Sequence, residues 1–539
     1  MRKNHKNKKE RNNVMKKMKK LVGILLTLAM VVAMSVTAFA EENGTTPSTT
    51  SNTTQYTITA PNNGHRYEIY QIFTGDLAGN VLSNVKWGAN GTSKSGAVEE
   101  SVLNALKDVN TAEETDAEKL ATIKSYADFN NPFKTLPENG QLKVQVPAGY
   151  YLIKDADNSV TGDDVYTTYL VSVVGDVTIT PKGNKPTVVK KLKETNDTTG
   201  KTSDWQDGAD YDIGDIVPFE LTGTLPSNYA DYKTYKYVFH DTLSEGLTYN
   251  EDAKVFVKNG DSETDVTKFF TVDFGTITCN NLKDIATVTI TKDSKIVVRY
   301  SATLNEHAKY GKQGNPNEVY LEYSNNPNYT GAGENSPTGQ TPLDAVIVFT
   351  YKLDANKVEP NGENGTKPLK GAGFTLFKIV PGTEAGTTLE NQIGAEVKGT
   401  DVTKFSWLGL DAGKYVLRET TTPAGYNTAA DIEFEIVGAY VATTDTDGVA
   451  SETKPELTGL VVKDSSGNTI SGDAETGATF TATLDSTRSD ISTNVVNRKG
   501  TNLPETGGMG TTILYVVGAI LVIGAGILLV TKKRMNANK

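Results

Sequence analysis

The feature that most constrains the fold of this chain is a long series of short β-type segments. The single cysteine of the chain lies within this series. From about residue 55 to residue 500, segments rich in Val, Ile, Thr and Tyr are separated by Gly, Pro, Asn and Asp, as in strands joined by turns. This region is too long for one hydrophobic core. Because Cys279 has no partner, no intrachain disulfide can form, and it is expected to be a small buried hydrophobe. We therefore expect an all-β protein built from tandem immunoglobulin-like β-sandwiches.

The N-terminal end carries the pattern of a secretory signal. Lys and Arg crowd its beginning, an apolar stretch follows over residues 21–36, and Ala38 to Ala40 offers a small-x-small cleavage site. Residues 1–40 are therefore predicted to be a signal peptide, and the Thr-rich residues 41–54 a flexible leader. The start codon is left open among Met1, Met15 and Met18.

The C-terminal end combines three features within residues 501–539. The run Ile513–Val530 has 18 residues without charge, and a helix of that length, about 27 Å, crosses a hydrocarbon core. The basic cluster at residues 532–534 predicts a cytoplasmic tail. An ordinary membrane anchor would explain both features, but not the pentapeptide upstream of them. That pentapeptide is Leu503, Pro504, Glu505, Thr506 and Gly507.

Together these three features resemble the LPxTG sorting signal of Gram-positive surface proteins. The resemblance implies that a sortase cuts between Thr506 and Gly507 and passes the Thr506 carboxyl group to an amine. The apolar span would then be a temporary stop, and the mature product would keep no transmembrane helix.

The first sandwich is assigned to residues 55–183, with one or two helices inserted where residues 97–127 show helical spacing of apolar side chains. Its end, Thr180 to Asn184, is similar to the pilin motif Tyr-Pro-Lys-Asn of the major (backbone) subunits of sortase-assembled pili. The match is degenerate, with Thr in place of Tyr and an inserted Gly. It implies that Lys182 accepts the next subunit. On the tetrapeptide alone a solvated lysine in a turn is the simpler interpretation, and Lys185 is the nearest competitor.

The second sandwich, residues 184–343, resembles the collagen-adhesin A-type domain of the backbone pilins, which contains an internal Lys–Asn isopeptide bond. By position, Lys190 matches the amine, Asn317 the amide and Asp241 the acid. Alternation along the strand places Lys190 on the face of Val188 and Leu192, and Lys191 on the opposite face, where we expect it to be exposed. Periodicity alone does not choose between the two lysines, because both faces contain apolar residues.

The third sandwich, residues 344–500, resembles a collagen-adhesin B-type domain. Lys357 matches its isopeptide lysine, Asn497 the amide, and Glu419 the acid of the pilin E-box. The E-box pattern Tyr-x-Leu-x-Glu-x-x-x-Pro-x-Gly-Tyr surrounds that glutamate, which would otherwise be a surface strand residue. The usual Lys-Val-Asp is Lys-Val-Glu here, a departure outside the three matching residues.

These residue types suit the chemistry that the resemblance implies. A lysine attacks only as a neutral amine, which burial favours. A protonated carboxyl group can polarise the Asn carbonyl and move protons as ammonia leaves. Each bond is expected to join the first strand of its sandwich to the last, so that tension passes through the cross-links. By the loop-entropy relation for disulfides, each bond would stabilise its domain by roughly 5 kcal/mol.

The sequence therefore predicts a secreted, wall-anchored structural subunit of a surface pilus, not an enzyme beyond its own autocatalytic isopeptide formation. The implied partners are a pilus-specific (class C-type) sortase, a housekeeping sortase, further copies of the chain, minor pilins and peptidoglycan. The sequence shows no Gly-rich phosphate loop, metal-ligand cluster or Ser-His-Asp arrangement, and no cofactor is expected. The net charge of −11 argues against nucleic-acid binding. The alternatives are a monomeric wall-anchored adhesin for a host ligand and, less favoured by the three-domain layout, a basal or tip minor pilin.

Overall fold

The computed structural model describes most of the region between the two targeting ends. The predicted signal peptide, Lys182, the LPETG segment and the predicted span Ile513–Val530 lie outside the described residues. Within the described residues, no helix is both long and apolar enough to cross a membrane. The described ranges are 54–78, 81–111, 116–160, 164–166, 168–180, 185–273, 275–362, 365–441, 455–470 and 480–500.

Strands dominate these ranges, and the expected all-β class is confirmed. The strands are β1 Gln55–Thr59, β2 Tyr67–Ala78, β3 Val81–Trp87, β4 Lys134–Leu136, β5 Lys143–Pro147, β6 Gly149–Asp155, β7 Thr168–Val173, β8 Val177–Thr178, β9 Val188–Leu192, β10 Thr195–Asn196, β11 Lys201–Thr202, β12 Gly208–Asp210, β13 Ile216–Gly223, β14 Tyr237–Leu243, β15 Leu247–Tyr249, β16 Lys254–Asn259, β17 Ser262–Asp265, β18 Thr271–Asp273, β19 Thr276–Cys279, β20 Lys295–Leu304, β21 Asn315–Ser324, β22 Thr338–Gln340, β23 Asp344–Phe349, β24 Tyr351–Asn361, β25 Gly365–Pro368, β26 Gly373–Pro381, β27 Thr388–Lys398, β28 Lys404–Leu410, β29 Gly413–Thr421, β30 Ile432–Val441, β31 Glu456–Lys463, β32 Phe480–Leu484 and β33 Ser489–Val496.

The described helices are few, and both α-helices lie where residues 97–127 showed helical spacing. They are α1 Glu100–Thr111 and α2 Asp116–Ser125. Short 3-10 helices occupy Tyr229–Asp231, Thr267–Phe269, Leu282–Asp284 and Gly333–Asn335.

The chain divides into two compact units. Among the described residues, unit 1 contains those within 1–195, 202–350 and 439–458, and unit 2 contains those within 196–201, 351–438 and 459–539. The finer division into sandwiches at 55–183, 184–343 and 344–500 stays a prediction.

The N-terminal part of unit 1 holds a five-stranded sheet of order β3-β2-β6-β7, with β4 also on β2, and a three-stranded sheet of order β5-β1-β8. The two α-helices cover part of the larger sheet. Leu106 of α1 and Ile123 of α2 are buried in one core cluster with Phe73 and Trp87, whose ring centroids lie 5.3 Å apart. The helical insertion therefore supplies apolar side chains to a core that the sheet alone would leave open.

The second part of unit 1 is a sandwich of two sheets. One has the order β17-β16-β20-β13-β9, with β15 on β20. The other has the order β12-β23-β21-β14-β19-β18, with β22 on β21. Their inward faces share one core, in which Phe219 and Leu321 are fully buried. Cys279 is buried in that core as expected, and burial raises the pKa of its thiol to about 11.

Most of unit 2 is formed by two five-stranded sheets. One has the order β25-β24-β33-β32, with β28 on β24, and the other the order β27-β26-β29-β30-β31. Phe374 and Phe405 meet edge to face in its core, with ring centroids 4.9 Å apart. Strands β24 and β33 pair in parallel, with Lys357 opposite Val495. The parallel pairing places β24, near the start of the domain sequence, alongside β33, near its end.

Candidate functional sites: two lysine–carboxylate–asparagine clusters

Strand β9 directs Lys190 into the core of the second sandwich. Its side chains alternate between buried and partly buried, and Lys190 shares the buried face with Val188 and Leu192, as the alternation predicted. Lys191 points the other way, but it is not the exposed lysine that was expected: its side chain is 21 % exposed and its ammonium group pairs with Asp207. The structure thus places Lys190, and not Lys191, on the face of β9 that is buried in the core.

Lys190, Asp241 and Asn317 come together across the two sheets. The Lys190 Nζ lies 2.9 Å from Oδ1 and 2.8 Å from Oδ2 of Asp241, and it also donates to the Asn317 Oδ1. Asp241 and Asn317 come from the neighbouring strands β14 and β21, where Leu243 pairs with Asn317. Lys190 and Asn317 are fully buried. The amine, the acid and the amide therefore meet in a site shielded from water.

Burial lowers the pKa of Lys190, and the neighbouring carboxylate of Asp241 opposes that shift. Two aromatic rings flank the amine, with the Phe219 and Tyr300 centroids 5.7 and 5.6 Å from Nζ. A low-dielectric site of this kind favours the neutral amine over the ammonium ion. Proton transfer from Lys190 to Asp241 would remove both buried charges at once.

Two residues that sequence reasoning missed complete the cluster. The Tyr300 hydroxyl donates to Asp241 Oδ2 at 2.9 Å and accepts from Asn317 Nδ2 at 2.7 Å. The Asp344 carboxylate of β23 accepts the Lys190 backbone N–H at 2.5 Å. The position of Tyr300 on the inward face of β20 was an available signal, because a buried phenol hydroxyl needs a hydrogen-bond partner.

Unit 2 contains the second cluster, formed by Lys357, Glu419 and Asn497. The Lys357 Nζ lies 3.0 Å from Glu419 Oε1 and also donates to Asn497 Oδ1. Asn497 Nδ2 donates to both Glu419 oxygens, at 2.9 and 3.0 Å. All three side chains are buried, and burial lowers the pKa of Lys357.

Glu419 reaches this cluster from the opposite sheet. It lies on β29, whereas Lys357 and Asn497 belong to the β24–β33 side. The backbone N–H of Ala429 donates to Glu419 Oε2 at 2.6 Å and fixes the carboxylate. The Phe374 ring lies 5.3 Å from Lys357 Nζ, so that the amine again faces an aromatic surface. The surface-strand interpretation of Glu419 is therefore wrong.

The expectation that each lysine–asparagine pair joins the first and last strands holds for unit 2 only. There Lys357 lies on β24, and Asn497 follows β33 directly. In the second sandwich Asn317 lies on β21, and β22 and β23 come later in the chain. The reason is that β23 extends the same sheet beyond β21, between β21 and β12. The pair instead spans the two sheets.

The lysine that competes with Lys182 lies just after the undescribed residues 181–184. The Lys185 ammonium group pairs with Asp164 Oδ1 at 2.9 Å, with both side chains about half exposed. This pair lowers the pKa of Asp164. His65 Nε2 lies 3.3 Å from the other Asp164 oxygen. Lys185 is thus held by a carboxylate.

Three segments of the chain match described families. Residues 213–327 match the Gram-positive pilin backbone subunit 2, Cna-B-like domain. Residues 353–449 match a prealbumin-like fold domain, and residues 496–537 match the LPXTG cell wall anchor motif. Because the family that matches the second sandwich is Cna-B-like, the A-type subclass of this sandwich stays a prediction.

The chain is also similar to individual proteins. It is 25 % identical over 415 residues to the trypsin-resistant surface T6 protein of Streptococcus pyogenes serotype M6, covering 66 % of this chain and 70 % of the relative. The solved T6 backbone pilin of that serotype has 17 % identity and a TM-score of 0.46, over 83 % of this chain and 98 % of that chain. The full-length major pilin SpaD of Corynebacterium diphtheriae has 17 % identity and a TM-score of 0.38, over 75 % and 97 % of the two chains.

Proposed function

We propose how this chain, a structural subunit of a surface pilus of the Gram-positive backbone type that is anchored to the cell wall, is cross-linked and polymerised. Two autocatalytic bonds, Lys190–Asn317 and Lys357–Asn497, stiffen each subunit. A pilus sortase joins Thr506 of one copy to Lys182 of the next. A housekeeping sortase attaches the finished polymer to peptidoglycan, and minor pilins are its further partners.

The observation that carries the internal bonds is the burial of each lysine against both an acid and an asparagine amide. A buried ion pair alone is weak evidence for stability, because desolvation offsets the attraction. Here the lysine amine also contacts the amide oxygen, in both clusters. A lysine, a carboxylic acid and an asparagine recur together in two different strand arrangements, which supports a chemical role rather than a packing role.

The proposed reaction balances without a cofactor. Lys190 passes a proton to Asp241, and its neutral amine attacks the Asn317 carbonyl carbon. The Nζ–Cγ bond forms, the Cγ–Nδ2 bond breaks, and ammonia leaves. The attacking nitrogen loses one proton, the leaving nitrogen gains one, and Asp241 ends protonated. Lys357, Glu419 and Asn497 react in the same way.

Polymerisation rests on two residues of the exported chain, Thr506 at its C-terminal end and Lys182 at the predicted junction of the first two sandwiches. The LPETG segment supplies an acyl group, because a sortase holds Thr506 as a thioester after releasing Gly507. The thioester needs an amine nucleophile. Addition of each copy through Lys182 gives a head-to-tail contact, which propagates as a filament rather than closing. Lys185 is the weaker candidate because Asp164 already binds its ammonium group.

The test is an immunoblot of boiled wall extracts from cells that express wild-type or Lys182→Ala protein. We expect the wild type to give a high-molecular-weight ladder and the variant to give wall-linked monomer only, because its LPETG segment is intact. Lys185→Ala is the matched control and should keep the ladder.

Two results of this immunoblot would count against the proposal. A ladder that persists in Lys182→Ala moves the acceptor to another lysine. A wild type that yields only wall-linked monomer favours the alternative function, a monomeric adhesin for a host ligand, which needs the sorting signal but no acceptor lysine.

A further inference from the structure

The two clusters differ in how the acid reaches the nitrogen that must leave. In unit 2, Glu419 accepts hydrogen bonds directly from Asn497 Nδ2. In the second sandwich, Asn317 Nδ2 donates to the Tyr300 hydroxyl, which in turn donates to Asp241. Among the described residues, Asp241 and Asn317 Nδ2 share no direct hydrogen bond. Aspartate is one methylene shorter than glutamate, and the Tyr300 hydroxyl bridges the gap between Asp241 and the amide nitrogen.

We propose that Tyr300 is a catalytic residue of the Lys190–Asn317 bond, in which its hydroxyl carries a proton from Asp241 to the leaving nitrogen of Asn317. The proposal rests on the internal bond proposed above. It adds Tyr300 to that reaction, and it means that the two sites transfer the proton differently. In the second sandwich the proton passes through a tyrosine, whereas in unit 2 the acid transfers it directly.

The relay follows from how the amide changes during the reaction. Before attack, the Asn317 nitrogen is planar and can only donate, as it does to Tyr300 at 2.7 Å. Once Lys190 adds to the carbonyl carbon, that nitrogen becomes tetrahedral and gains a lone pair. Protonated Asp241 then donates to the phenol oxygen, while the phenol passes its own proton to the nitrogen. Asp241 takes a proton back from the attacking Lys190 nitrogen, so that Asp241 ends protonated, Tyr300 ends as it began, and ammonia is the leaving group.

The surroundings of Tyr300 keep its hydroxyl in the right place and in the neutral form. Its ring stacks on Phe219, with centroids 5.3 Å apart and planes at 22°. Burial, with the adjacent Asp241 charge, raises the pKa of Tyr300 well above its ordinary value. A phenol that resists ionisation can exchange one proton for another without storing a charge in the core.

The second cluster needs no hydroxyl group between its acid and the amide nitrogen. The aromatic ring beside Lys357 is that of Phe374, which has no hydroxyl. Glu419 Oε1 lies 3.0 Å from the lysine Nζ and 2.9 Å from the amide nitrogen. One carboxylate therefore spans both nitrogens, and the same chain contains an internal control for any change at Tyr300.

The test follows both bonds during expression of the exported chain, residues 41 to 506, as Tyr300→Phe. Digestion and mass spectrometry quantify each cross-linked peptide over time. General acid–base assistance is typically worth at least about a hundredfold in rate. We expect the Lys190–Asn317 bond to form slower by about that factor, with one ammonia retained, while the Lys357–Asn497 bond completes at the wild-type rate.

The matched control is Tyr237→Phe, which removes a buried hydroxyl that donates to the Thr224 carbonyl in the same sandwich. It should leave both bonds unchanged. Adding Asp241→Glu to Tyr300→Phe should restore the bond, since the longer acid can reach the amide directly, as Glu419 does. An unchanged time course in Tyr300→Phe overturns the relay, whereas a wild type that never loses ammonia at this site overturns the bond itself.

A fluorinated tyrosine at position 300 covers the case in which Tyr300→Phe does not fold. It keeps the ring and the hydroxyl but makes the hydroxyl more acidic. A relay predicts a rate of bond formation several-fold different from wild type, at an unchanged melting temperature. An unchanged rate would assign Tyr300 to packing and overturn the proposal.

Discussion

At the scale of single residues, the two lysines are unusual because they are completely buried. A charged lysine in a core is unfavourable unless it is paired, and removal of its partner typically costs about 3–5 kcal/mol. Each acid therefore has two effects in the proposed scheme. It compensates the charge of the lysine before the reaction, and it handles protons during it.

The first prediction concerns the acids. In Asp241→Ala or Glu419→Ala, the bond of that cluster should fail, because the proton carrier is gone. After correction for the mass of the substituted side chain, the intact mass of the exported chain should then exceed the wild-type mass by one ammonia for each acid removed. Lys191→Ala is the control, and after the same correction it should match the wild-type mass. A wild type with the full, uncorrected mass would reject both bonds.

The same variants should lose stability. The Lys190–Asn317 pair encloses a sequence separation of 127 residues, and a closed loop of that size is worth about 5 kcal/mol by loop entropy. We expect Asp241→Ala to melt well below the wild type in calorimetry, because it loses this closure and leaves Lys190 without its acid. An unchanged melting temperature in Asp241→Ala would mean that closing this loop contributes nothing to stability.

At the scale of secondary-structure elements, the parallel pair β24–β33 joins two strands of unit 2 that are far apart in the sequence. A covalent bond near its end should suppress local opening of both strands. We predict faster amide hydrogen exchange in Tyr351–Asn361 and Ser489–Val496 of Asn497→Ala than in the wild type. Exchange in β9 should stay the same, and equal exchange in both proteins would exclude a restraining bond at this position.

The strands were largely predictable because alternation of apolar residues reflects which face is buried. That rule placed Lys190 and Lys191 on opposite faces of β9 but did not say which face was inside. The answer depends on how the second sheet packs. Tyr300 was missed for the same reason: its hydroxyl acts between residues of the other sheet, and no spacing along β20 indicates that.

The first-to-last-strand expectation failed in the second sandwich for a related reason. Asn317 has a clear position in the sequence, but the order of strands within a sheet is not the order along the chain. Two later strands, β22 and β23, join the sheet that contains Asn317. Local patterns do not specify such pairings, which depend on long-range contacts.

At the scale of the whole molecule, the exported chain is predicted to begin near Glu41 and to end at Thr506. Mass spectrometry of wall-linked material should find peptides up to Thr506 and none from Ile513 to Lys539, because the sortase removes that segment. Peptides from the removed segment in wall-linked material would contradict processing at LPETG. Protein from cells without sortase is the control, and it should retain them.

The proposed Lys357–Asn497 bond closes a loop of the chain that includes the exposed hairpin strand β27, and this affects how unit 2 responds to proteolysis. β27 exposes most of its side chains, and it lies between Lys357 and Asn497, which are 140 residues apart. A protease that cuts this strand would leave two fragments still joined through the cross-link. On a denaturing gel, nicked wild type should run as one species, whereas nicked Glu419→Ala should separate into two. A pilus built this way would tolerate surface damage within the loop, because severing one peptide bond there does not sever the fibre.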